Sequence, residues 1–108
     1  MLDVAIVAVA VLILVSMSVR ADRRLAGEPS LPMQWGLNGG VNWSAPRRMA
    51  LAFTPLLAIV LMGAALVTDS LWPSDEARFA VTLIAVLFVA VHALHLWLIE
   101  RWRRAAGR

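Results

Sequence analysis

Three stretches of this chain, Leu2–Val19, Met49–Thr68 and Phe79–Ile99, hold no charged residue except Asp3. As helices at about 1.5 Å per residue, they would measure roughly 27–32 Å, against a bilayer hydrocarbon core of about 30 Å. A buried helix of a soluble domain shows a polar stripe, and none is visible in these runs. Composition agrees: 61% of the 108 residues are hydrophobic and the mean hydropathy is +0.78, whereas soluble domains average about 45–50% apolar. The expected fold is all-α and membrane-integral, with three transmembrane helices in a single domain over residues 1–108.

Little chain remains outside the spans: a first loop over 20–48, a second over 69–78 and a tail over 100–108. None is long enough for a soluble domain. Cysteine is absent, which excludes disulfides, thiolate metal sites and thiol nucleophiles. The first run lacks the basic residues that precede a secretory signal, its arginines following it instead, so it is expected to be retained. No phosphate loop, paired intramembrane carboxylates or nucleophile–base set is present, so neither an enzyme nor a cofactor is expected.

Arginine placement predicts orientation. The first loop carries Arg20, Arg23, Arg24, Arg47 and Arg48, and the tail Arg101, Arg103, Arg104 and Arg108, whereas the second loop has only Arg78. The positive-inside rule puts the arginine-rich side in the cytoplasm, with the N-terminus out and the C-terminus in. These short basic clusters suit headgroups of the bilayer rather than nucleic acid.

The first loop contains PMQWGLNGGVNWSAP, polar and glycine-rich among lipid-like runs. Apolar residues alternate at Met33, Trp35 and Leu37, and again at Val41, Trp43 and Ala45, around Asn38-Gly39-Gly40. That pattern predicts a β-hairpin. A three-residue loop over 38–40 would pair Leu37 with Val41, Trp35 with Trp43 and Met33 with Ala45, with Gly40 in the left-handed conformation. Pro32 and Pro46 are expected to bracket the ladder. The hairpin either plugs the cytoplasmic mouth of the bundle or offers its polar face to a partner or ligand. The candidate binding residues are Gln34, Trp35, Asn38, Gly39, Asn42 and Trp43, with Ser44 on the same face.

The order of a first helix, L-P-x-x-W-G-x-x-G and a Pro-Arg boundary into a second helix resembles a family of small bacterial membrane proteins of unknown function. Their domain also stands at the front of SdpI-type toxin-immunity proteins. Pro32, Trp35, Gly36, Asn38 and Gly39 match, and the likeness covers roughly residues 1–68. Gln34 stands where that family usually carries His, which leaves the motif without an ionisable group. The resemblance implies a bacterial inner-membrane protein with a protective or signalling role.

His92 and His95 share one face of the third run at i,i+3 spacing. Intramembrane ionisable residues point to function by default, so the pair is a possible polar site for an ion, a haem edge or a proton. Neutral rings bonded to a neighbouring helix are the alternative. Pro55 removes the N–H that would bond the Leu51 carbonyl, and Thr54 is a nearby group able to compensate. Gly63, Ala64 and Ala65 with Ala85, Ala90 and Ala93 offer small surfaces for close packing. Ser74-x-Glu76 predicts the cap of the third helix. The leading expectation is an accessory subunit acting through helix and loop contacts with a larger membrane protein or with itself. A stand-alone immunity-like protein and a site at the histidine pair are the alternatives.

Overall fold

The computed structural model describes residues 2–107. The chain forms three helices, α1 (Leu2–Arg24), α2 (Arg47–Leu71) and α3 (Asp75–Ala105), with a two-stranded antiparallel hairpin, β1 (Ser30–Trp35) and β2 (Val41–Pro46), between the first and second in sequence. All three helices are long and apolar enough to cross a membrane, and only 11%, 33% and 22% of their most apolar windows are buried within the fold. Surface of this extent and apolarity is not sustained against water. The chain is a multi-pass membrane protein.

Each helix outruns its apolar stretch. Hydropathy falls where arginines and acids begin, but a helix keeps bonding its backbone through such residues, and arginine and glutamate favour helix about as much as leucine does. Thus α1 continues through Arg20–Arg24, and α3 reaches Ala105 rather than ending at Ile99. At 31 residues, α3 measures about 46 Å and projects beyond the hydrocarbon. Its last turns carry Trp97 with the Arg101 guanidinium 5.6 Å from the ring centroid, a pairing suited to a headgroup region. The expected second loop over 69–78 shrinks to Trp72, Pro73 and Ser74. Ser74 caps α3, its Oγ accepting from the Ala77 N–H at 3.0 Å, while Asp75 and Glu76 face the positive end of the helix dipole.

Two apolar clusters hold the bundle. In the middle, Ala10 and Leu14 of α1, Ala58 and Met62 of α2 and Ala85 of α3 meet. At the arginine-rich end, Ala21 and Leu25 join Ala50, Leu51 and Ile99, and Leu31 of β1 enters the same cluster. The hairpin is therefore part of the core. Of the small residues expected to pack helices together, Ala85 is buried, but Ala90 and Ala93 are exposed.

The hairpin register differs from the expected one. Ser30 pairs with Pro46, Leu31 with Ala45, Pro32 with Ser44, Gln34 with Trp43 and Trp35 with Val41. The loop has three residues as expected but begins one position earlier, at Leu37-Asn38-Gly39. The Gly39 N–H bonds the Gly36 carbonyl at 3.0 Å, and the Gly36 N–H bonds the Gly40 carbonyl at 2.7 Å. Gly39, not Gly40, takes positive φ, at 83°. The Asn38 side chain selects this loop by accepting from the Gly40 N–H at 3.0 Å. Pro46 closes the ladder as expected, as the last residue of β2, whereas Pro32 lies inside β1 rather than before it. Pro32 has no N–H to give the ladder, and the pairing is irregular just after it and again before Trp35. These irregularities part the two tryptophans: Trp35 packs inward and Trp43 is half exposed.

Candidate functional site

The arginine-rich end of the bundle gathers most of the side-chain hydrogen bonds between elements, and it begins with a backbone defect. Pro55 sits inside α2, so the Leu51 carbonyl one turn earlier has no helical donor. A buried carbonyl left unmet costs about 1–3 kcal/mol. Ser18 of α1 supplies the donor, its hydroxyl standing 2.7 Å from the Leu51 oxygen. Ser18, not Thr54, compensates for the proline. The same hydroxyl lies 2.8 Å from Nε2 of His92 on α3. A serine has one proton and gives it to Leu51, whose carbonyl can only accept, so His92 must donate from Nε2. His92 is fully buried, and its Nδ1 has no partner among the described residues. One serine thus ties three helices at one level.

His95, one turn on, serves the hairpin. Its Nε2 is 3.1 Å from the Pro32 carbonyl and donates to it. Trp35 meets the same ring edge-on, with centroids 6.1 Å apart and planes at 80°, a favoured aromatic geometry. The two histidines share a helix face, as expected, yet engage different elements: His92 reaches α1, and His95 reaches β1. Among the described residues no three His, Asp or Glu side chains converge as a metal ion would require.

Arg47 fixes the other side of the loop. Its Nε bonds Asp22 at 2.7 Å, one terminal nitrogen bonds the carbonyls of Ala26 at 2.8 Å and Glu28 at 3.0 Å, and its backbone N–H bonds the Pro29 carbonyl at 3.1 Å. A guanidinium offers five donors in a rigid plane, which suits one residue gathering a carboxylate and two carbonyls. Further along, Glu100 is bridged by Arg103 and Arg104 on its own helix. In the sequence, Arg47 reads as an orientation signal, and nothing there assigns Ser18 a role. The only hint of Ser18 was a hydroxyl placed within an apolar run.

The candidate hairpin residues divide by face. Trp35 is partly buried and structural. Asn38 and Gly39 form the exposed tip with Leu37, which is wholly exposed. Gln34, Asn42, Trp43 and Ser44 are exposed on the strands. The arrangement is a docked hairpin with an uncharged outer surface holding one large aromatic ring. Compared with protein-family models, with curated proteins and with solved structures, the chain finds no match.

Proposed function

We propose that this chain is a non-enzymatic accessory subunit of a membrane complex, which presents its hairpin to a larger membrane protein or to a second copy. The supporting observation is the contrast between the two sides of the hairpin. Its inner side is held by Leu31, Trp35 and the His95–Pro32 bond, and Arg47 fixes the segment that leads into it. Its outer side exposes Leu37 and Trp43 beside Gln34, Asn42 and Ser44, which make no side-chain hydrogen bond among the described residues. Recognition is stronger when a surface is ordered before binding, because little conformational entropy is then lost. An exposed tryptophan flanked by amides is a fitting anchor. The arginine distribution supports an orientation with the N-terminus outside and the hairpin and C-terminus in the cytoplasm, and the resemblance supports a bacterial inner membrane.

A photoactivatable residue in place of Trp43 tests this in intact cells, with the same residue at Asp75 on the opposite side as control. One discrete protein adduct at position 43, absent at position 75, is expected. Adducts to lipid alone would make the hairpin a membrane anchor and overturn the proposal.

The immunity-like reading has one observation in its favour. Pro32, Trp35, Gly36, Asn38 and Gly39, the residues that carry the resemblance, form the His95 contact and the loop. Protection of cells against a membrane-active toxin, lost on Gly39→Val, would support it. Unchanged sensitivity with and without the protein would remove it.

A further inference from the structure

A groove of about 420 Å³ runs between α1 and α2 on the outside of the bundle. Val15 and Val19 line it from α1, and Pro55, Leu56 and Ile59 from α2. At its charged end stand Arg23, in the last turn of α1, and Arg48, in the first turn of α2. We infer that this groove is a binding site for one acidic phospholipid, with an acyl chain along the apolar walls and the phosphate between Arg23 and Arg48.

Three observations carry the assignment. The first is length. From Arg48 to Ile59 the helix rises about 16 Å, the depth of one hydrocarbon leaflet. The second is charge. Both arginines are exposed, and among the described residues neither forms an ion pair. Asp22 also borders the groove, but its carboxylate is engaged by Arg47. The first turn of α2 holds no acidic residue, and no side chain caps it, so its dipole adds positive potential at the same place. The third is order. A charged mouth leading into an apolar channel matches a molecule with a phosphate at one end and hydrocarbon at the other. A packed helix from a second chain would bury both arginines without offering them an anion.

Native mass spectrometry of the delipidated full-length chain in mild detergent tests the assignment. The probes are phosphatidylglycerol and phosphatidylcholine with identical acyl chains. Phosphatidylglycerol should bind as a single molecule, with about tenfold or greater preference given two arginines at the membrane surface. Arg23→Gln/Arg48→Gln should abolish the preference, while helical content and melting stay unchanged. Ala52→Phe fills the groove and should weaken binding of both lipids with the arginines intact. Glycerol phosphate, which has no acyl chain, should not compete at millimolar concentration. Equal affinity for the two lipids, full retention in the double variant, competition by glycerol phosphate, or a lipid-free dimer closing the groove would each overturn the assignment.

Discussion

The Ser18 hydroxyl stands 2.8 Å from Nε2 of His92 while donating to the Leu51 carbonyl at 2.7 Å. A proline on α2, a serine on α1 and a histidine on α3 thus form one polar junction in an otherwise apolar bundle. The direction of each bond follows from the carbonyl, which has no proton to give.

If Ser18 compensates for Pro55, the two residues must be energetically coupled. Ser18→Ala should cost about 1–2 kcal/mol, since it leaves a buried carbonyl unmet. In a Pro55→Ala background, position 55 regains an N–H for Leu51, and the serine should then matter less than half as much. A double-mutant cycle of unfolding in mixed detergent measures this. Equal costs in the two backgrounds would show that the serine does not answer the proline.

The junction also dictates a tautomer. His92 should be neutral with its proton on Nε2 and a bare Nδ1, and His95 should likewise carry a proton on Nε2, bonded to Pro32. Nitrogen-15 spectra of histidine-labelled protein in bilayers report each ring nitrogen. A His92 signal from protonated Nδ1 and bare Nε2 would contradict the bond directions.

Arg47 closes the segment between α1 and the hairpin by holding Asp22 and the Ala26 and Glu28 carbonyls. Arg47→Ala should destabilise that segment by about 1–2 kcal/mol, raising its open population roughly tenfold. Tryptic cleavage after Arg24 should accelerate accordingly. Arg47→Lys should fall between, since an ammonium retains the charge but loses the planar donor array. Cleavage at the wild-type rate in Arg47→Ala would remove the staple from the account.

The loop register makes a separate prediction. Gly39 has φ +83° and open space where a Cβ would point, so Gly39→Ala should cost about 1 kcal/mol through backbone strain alone. Gly27 is equally open without positive φ, and Gly27→Ala should be neutral or slightly stabilising. Thermal melts of both variants separate conformation from crowding. A neutral Gly39→Ala would return the left-handed position to Gly40.

The spans were legible because charge-free runs of bilayer length have few alternatives in water. The Ser74 cap and the start of α2 after Pro46 were legible because they rest on local chemistry. The helix ends were not, since hydropathy marks where lipid stops and not where backbone bonding stops. The hairpin was visible as alternation around glycines, but its register was not. Alternation assumes even pairing, and Pro32 breaks it by withholding a donor, while Asn38 moves the loop by one residue. The donor to Leu51 was out of reach for another reason: Ser18 lies 33 residues away along the chain, and only the packed bundle brings it close. Trp35 and Trp43 were read as one face for want of the irregularities that send one inward and the other outward.

We propose that the docked hairpin is recognised through its outer surface. The most direct test is the mass of the protein extracted from its native membrane in mild detergent, for the wild type and for Leu37→Ser/Trp43→Ala. A discrete complex larger than the 11.8 kDa chain, with fixed stoichiometry, is expected for the wild type, and the double variant should lose it while remaining folded. A folded wild-type chain that migrates alone, or a complex that the double variant leaves intact, would contradict it.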